Sequence, residues 1–376
     1  MLFRSSLSLY FDLTRVVAAL LVLLYHANLR LLSSAGLPLS GHGHAAVIVF
    51  FVLSGYVIAY ITAARERTAR AYWSSRLARF YSVALAAVLL TPLLDLAGEA
   101  LAPAFYAGTT THDLGWLRIF SSLAFLNEIW GVSIMSFSNV PYWSLCYEFW
   151  YYALYALYSF GGRRRWLWCA ALLLALGPKI ALLAPAWVLG VLLYRWQWPQ
   201  PQRIGRVAGG LLWCASWLAY YLFHHYGLTA AGSDWLRQMV GTRLHHELAF
   251  SRFFVADYLL ALLVACNFVG ARALLTAGCA PLERMAPLIR ALAGYTLSAY
   301  IFHQPLLLFY AALIDGDPAR PWFYLATMGA TLTSIGLLGY LTEHQRRHWR
   351  RWFDCGLQRA ALRLAAPTAG SGGAHG

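Results

Sequence analysis

The chain has 376 residues, of which 60% are hydrophobic and only 12% charged, with a mean hydropathy of +0.55. A typical soluble domain carries about 25% charged residues, and a disordered chain needs low hydrophobicity to stay expanded, so both classes are excluded. Stretches of about 20 mostly apolar residues recur, and each satisfies its own backbone in a bilayer only as a helix. The expected class is an all-α, polytopic membrane protein.

In chain order, ten apolar spans are expected, at about 9–31, 44–62, 78–97, 142–160, 165–178, 180–195, 207–223, 252–271, 291–313 and 322–342. The first is not a cleaved signal sequence, because Asp12 and Arg15 interrupt it and its apolar core outruns a signal core of about 7–15 residues. Residues 165–195 read either as two short helices turning at Gly177-Pro178-Lys179 or as one long kinked helix, with Lys179 favouring a surface turn. Of the long connections, 98–141 contains FSSLAFLNEIW, which lies in the interface or dips into the membrane, and 224–251 carries two histidine pairs. Residues 1–342 are expected to form the transmembrane domain and 343–376 a basic cytoplasmic tail, disordered after Leu364.

Charge tests this arrangement. There are 29 basic and 15 acidic side chains, a net of +14. Ten spans with the N-terminus inside bring Arg4, the five arginines of RERTARAYWSSRLAR, Arg163 to Arg165, Arg195, Arg203, Arg206, Arg272, Arg284, Arg290 and the EHQRRHWRR segment to one side. Nine spans would scatter the later clusters, so the positive-inside rule favours ten with both termini cytoplasmic. Nucleic acid is not an expected partner, since no zinc-finger spacing or basic recognition helix is present. Cys146, Cys169, Cys214, Cys266, Cys279 and Cys355 form no CxxC pair, and neither structural disulfides nor a metal cluster is expected.

Ionisable residues inside apolar spans are costly and mark function by default. In FDLTRVVAALLVLLYH, Arg15 and His26 are eleven residues apart, a separation that returns to within roughly 20° of the same helix face and rises roughly 16 Å. Asp12 stands one turn before Arg15 as a salt-bridge partner. The plain alternative is that Asp12 and Arg15 snorkel to the surface while His26 makes one helix-packing bond. Glu148, in YWSLCYEFWYYALY, needs a partner, either Arg15 or His26 or a packing cation. Tyr300 and His303 in LSAYIFHQPL place another imidazole mid-span, catalytic or merely packed, with Pro305 kinking the helix. Arg76 and Arg79, one turn apart at a helix start, either clamp phosphate or anchor the topology.

Together these residues resemble the acyltransferase-3 family of integral membrane acyltransferases. The resemblance rests on Arg15 and His26 with ten residues between them, FFVLSGYVI at 50–58, the Arg76/Arg79 pair, YWSLCYEFWYYALY with Glu148, and LSAYIFHQPL with His303. Two positions depart from the pattern: Leu13-Thr14 replaces a small residue between Asp12 and Arg15, and Phe149 stands where a second acidic residue follows Glu148. A soluble esterase-like domain found after the helices in some relatives is not expected here.

What the resemblance implies is transfer of an acyl group, commonly acetyl, from acyl-coenzyme A to a hydroxyl of an envelope or exported glycan, in a bacterial inner membrane. On that basis His26 is the expected general base, with Glu148 orienting its imidazole and Arg15 meeting the donor's arm, a phosphate or the oxyanion. Arg76 and Arg79 would bind the coenzyme A phosphates, and His303 and Tyr300 would line the acceptor path. No metal or tightly bound cofactor is implied, acetyl-CoA or another acyl-CoA being a cosubstrate. The remaining implied partners are a carbohydrate or glycolipid acceptor, membrane lipid, and glycan biosynthesis or export machinery. The competing class is a proton-coupled transporter or flippase of a glycan or lipid, which also uses intramembrane Arg, His and Glu.

Overall fold

The computed structural model describes residues 6–31, 39–108, 113–197, 204–318 and 320–365. Arg4, Arg203 and the end of the expected tail lie outside the described residues.

The N-terminal helices are α1 (Ser6–Leu31), α2 (Gly43–Ala64), α3 (Ala69–Leu101), α4 (Pro103–Tyr106) and α5 (Gly115–Leu123). The middle of the chain forms α6 (Trp143–Phe160), α7 (Arg165–Leu176), α8 (Pro178–Gln197), α9 (Arg206–His225), α10 (Leu228–Val240) and α11 (Thr242–Glu247). The last third forms α12 (Phe254–Leu274), α13 (Ala280–Arg284), α14 (Ala286–Ala293), α15 (Thr296–Ile314), α16 (Pro321–Leu341) and α17 (Arg346–Ala365). Helices therefore stand at all ten expected spans, and the ambiguous pair is two helices, parted at Gly177 with φ +87°. Among the described residues, seven stretches, containing α1, α2, α3, α8, α12, α15 and α16, are long and apolar enough to cross a membrane.

The other three fall short for visible reasons. With 12 residues, α7 rises only about 18 Å against a hydrocarbon core of about 30 Å. In α9, the 20 residues include Trp213, Trp217, Tyr220, Tyr221, His224 and His225. In α6, five tyrosines and two tryptophans lower the hydropathy, yet they are the middle of the core. Tyr147, Tyr151 and Tyr152 are at most 1% exposed. Each buried phenol needs a partner: the Tyr147 hydroxyl is 2.9 Å from Ser251 Oγ, and Tyr151 donates to the Ile180 carbonyl at 3.0 Å.

Close helix crossings set the bundle's geometry. A Cβ on Gly55 would lie 2.0 Å from the Trp187 carbonyl oxygen, and one on Gly190 would lie 2.0 Å from that of Val52. Only glycine at both places lets α2 and α8 approach this closely, which puts Ser54 beneath the Trp187 indole, Nε1 to Oγ 3.2 Å. Pro305 inside α15 cannot donate to the Ile301 carbonyl one turn back. The Asn139 amide supplies the missing bond at 2.9 Å, tying the 124–142 connection to the turn that carries His303.

One expectation changes here. Lys179 is not at a surface turn: it is 0% exposed and its Nζ is 2.8 Å from Glu128 Oε2, because FSSLAFLNEIW folds back so that Trp130 N–H donates to the Leu176 carbonyl at 2.9 Å. The basic segment after 342 is, as far as Ala365, a helix that packs along α3.

Candidate functional site

Three side-chain groups lie in succession along α1. At its first turns Asp12 Oδ1 is 3.5 Å from Arg15 Nη1, the pairing expected from the sequence. Around them is a polar cavity of about 500 Å³, closed by Arg79 of α3, Arg290 of α14, Thr296 and Leu297 of α15, Glu343, and Arg346 and Arg347 of α17. Residues far apart in sequence thus converge on one end of the bundle, and arginines of four helices share it.

The second group is a slit of about 50 Å³ that continues inward, sharing Arg15, Arg79, Thr296 and Leu297 with the basic cavity. Its inner wall holds Ser54, Ser144, Glu148, Tyr152 and Tyr300. Glu148 Oε1 accepts from Ser54 Oγ at 2.6 Å and from the Tyr152 hydroxyl at 2.5 Å, and Arg79 Nη2 stands 3.8 Å away. The Tyr300 hydroxyl is 2.7 Å from Ser144 Oγ. It is a narrow space, with room for a few waters.

The third group is a pair of imidazoles. His303 is fully buried and sits one turn beyond Tyr300, their ring centroids 6.3 Å apart. His303 Nδ1 is 3.0 Å from the Ala299 carbonyl, and His303 Nε2 is 3.0 Å from His26 Nδ1. His26 Nδ1 is also 3.0 Å from the Val22 carbonyl. Carbonyls only accept, so a hydrogen on each Nδ1 satisfies both carbonyl contacts, the one on His26 being shared between the Val22 carbonyl and His303 Nε2. This tautomer leaves the lone pair of His26 on Nε2.

Several expected pairings are rearranged. Glu148 is not the partner of His26: α6 faces α2 and α3, so its carboxylate meets Ser54, Tyr152 and Arg79, and His303 takes the place beside His26. The Arg76/Arg79 pair is divided. Arg76 is 3% exposed, is bound by the Glu66 carboxylate and lies 5.3 and 5.6 Å from the ring centroids of Tyr72 and Tyr152, whereas Arg79 opens on both cavities. His303 is enclosed against His26, and Tyr300 lines the slit.

Sequence reasoning did not single out Ser54, Tyr152, Arg290, Glu343, Arg346 or Arg347. Ser54 lay within the quoted FFVLSGYVI, and the last two in a basic run taken only as a topology signal. Among the described residues no group of three or more His, Cys, Asp or Glu side chains is placed to hold a metal. His224 of one loop pair packs on His42, ring centroids 4.3 Å apart, and His245 Nε2 is 2.8 Å from Ser233 Oγ.

Neither a curated protein nor a solved structure matches the chain. A family model described as an acyltransferase domain matches residues 8–340, a range that takes in all three groups except Glu343 and the α17 arginines. The chain belongs to the acyltransferase-3 family of membrane acyltransferases.

Proposed function

We propose that this protein transfers an acyl group, most simply acetyl, from acyl-coenzyme A to a hydroxyl of an envelope or exported glycan, as a multi-pass protein of a bacterial inner membrane. In this reading ten helices count as spans and both ends of the described chain face the cytoplasm, which puts the arginine-lined cavity on the side where acyl-coenzyme A is found. Acyl-coenzyme A is a cosubstrate and not a resident group.

The observation that carries this reading is the continuity of the three groups: a wide basic cavity and a narrow slit share Arg15 and Arg79, and Tyr300 of the slit lies next to the His303–His26 pair. The donor's phosphates suit the arginines. Its extended arm suits the slit, over a rise from Arg15 to His26 of roughly 16 Å. The acceptor reaches His26 from the opposite end of α1.

His26 Nε2 then takes the hydroxyl proton as the acceptor oxygen attacks the thioester carbonyl carbon. The C–S bond breaks, and the departing thiolate takes the proton back from His26 Nε2. Throughout, the His26 Nδ1–H stays shared between the Val22 carbonyl and His303 Nε2, which together hold the tautomer and stabilise the imidazolium, so His303 is a positioning residue. Glu148, held by Ser54 and Tyr152, fixes Arg79 at the junction of cavity and slit.

The test is purified protein in lipid nanodiscs with labelled acetyl-CoA and glycan acceptors. Transfer with one coenzyme A released per acetyl group is the expected result, and His26→Ala should lower kcat by about 10²–10⁴ with unchanged thermal unfolding. Glycan translocation into vesicles without any release of coenzyme A would sink the enzyme reading. Full turnover by His26→Ala would remove His26 as the base.

A further inference from the structure

The last helix lies beyond residue 340, where the family match ends, yet it forms one wall of the basic cavity. It is docked, not loose. Phe353 packs on Tyr81 with ring centroids 5.7 Å apart, and Asp354 Oδ1 is 3.4 Å from Arg70 Nε. Glu343, just before α17, accepts from the Ser298 N–H at 2.9 Å and Ser298 Oγ at 2.8 Å, a carboxylate lying across the first turn of α15.

This arrangement leaves the cavity short of negative charge. Five arginines line it against Asp12 and Glu343. Asp12 is engaged by Arg15 and Glu343 by Ser298. Among the described residues no carboxylate lies within 4.0 Å of Arg290, Arg346 or Arg347. Guanidinium groups gathered round a cavity of about 500 Å³ without matching carboxylates are complementary to a multiply charged anion, which they bind bidentately.

We infer that α17 is a phosphate clamp: Arg346 and Arg347 hold phosphate groups of the nucleotide-bearing acyl carrier, and donor affinity therefore depends on the docking of a helix outside the acyltransferase domain. The inference rests on the reading of this cavity as the donor end. It makes the α17–α3 contact a point of control: anything that lifts α17 weakens donor binding while leaving the His26–His303 pair intact.

The experiment measures equilibrium binding of coenzyme A and of phosphate-free pantetheine to the full chain in nanodiscs. Arg346→Gln and Arg347→Gln should each raise the coenzyme A Kd about tenfold, while pantetheine binding stays as in wild type. With acetyl-CoA as donor, KM should rise with kcat at saturation unchanged. Arg359→Gln, the same charge loss further along α17, should leave coenzyme A affinity unchanged and serves as the folding and net-charge control. Wild-type coenzyme A affinity in the Arg346→Gln/Arg347→Gln double variant overturns the clamp, as does an equal loss of pantetheine and coenzyme A binding. If the wild-type chain binds coenzyme A through these arginines and transfers no acyl group, the proposed function fails and the clamp stands. If the wild-type chain binds no coenzyme A, both fall.

Discussion

Lys179 and Arg79 both carry positive charge into the bundle, and their surroundings could hardly differ more. Lys179 is sealed. Its ammonium meets Glu128 Oε2 at 2.8 Å and also donates to the Val132 carbonyl, Glu128 Oε1 accepts from Ser133 Oγ at 2.7 Å, and the two side chains are 1% and 0% exposed. Burial pushes the Glu128 carboxyl above its ordinary range, and Lys179 pulls it back. Arg79 is 27% exposed, stands 3.8 Å from Glu148 and faces two cavities. Removing charge from water is expensive in both cases. In one region the protein offsets that cost with a closed set of partners, and in the other it leaves the cation reachable by water or a ligand, so contact length and enclosure separate a sealed charge from an open one.

The largest effect that tests this difference is on stability. Lys179→Met leaves Glu128 buried without its cation and should cost about 3–5 kcal/mol, read as a lowered unfolding temperature in detergent, and adding Glu128→Leu should restore most of it. Unchanged unfolding of the single variant would break the contrast. Arg76→Gln sharpens it further: bound by Glu66 between two tyrosine rings, Arg76 should behave like Lys179, losing stability while the folded fraction keeps its coenzyme A affinity. Arg79→Gln should do the reverse, lowering kcat/KM about tenfold at nearly wild-type unfolding temperature.

The smallest effect concerns the exposed Glu283. Bonds from Ser6 Oγ and the Cys279 N–H hold its carboxyl below the usual carboxylate range. A depressed carboxylate pKa contributes stability above its unfolded value, and that contribution is lost as pH falls through the folded value. The unfolding temperature of Ser6→Ala should therefore trail wild type slightly at neutral pH, and the gap should close as pH falls through the carboxyl's depressed folded value. A gap that widens in acid contradicts the assignment.

Much of the site was legible as positions and little of it as partners. Helical arithmetic placed Arg15 and His26 on one face of one helix, and the structure has Arg15 at the basic cavity and His26 in the imidazole pair. The same arithmetic could not separate Arg76 from Arg79. Three residues turn a helix by about 300°, and the remaining 60° or so is enough to send one side chain to Glu66 and the other to the cavity. Nor could it tell that the carboxylate of α6 would meet α2 and α3, or that a basic run suited to anchoring topology would become a helix packed on α3. Those outcomes depend on which helices touch, and neighbours in a bundle leave no period in the sequence.

The sequence by itself determined the class, the places where helices form and the charge each carries, because a hydrocarbon layer about 30 Å thick demands self-satisfied apolar spans and penalises each ionisable group within them. Only the tertiary structure decided which of those groups meet. Helix rotation and approach are set by packing at points such as Gly55 and Gly190, where backbones come too close for any Cβ, and by contacts such as Asn139 with Ile301 and Glu343 with Ser298. From these follow the His26–His303 pair, the sealed Lys179 and the open Arg79.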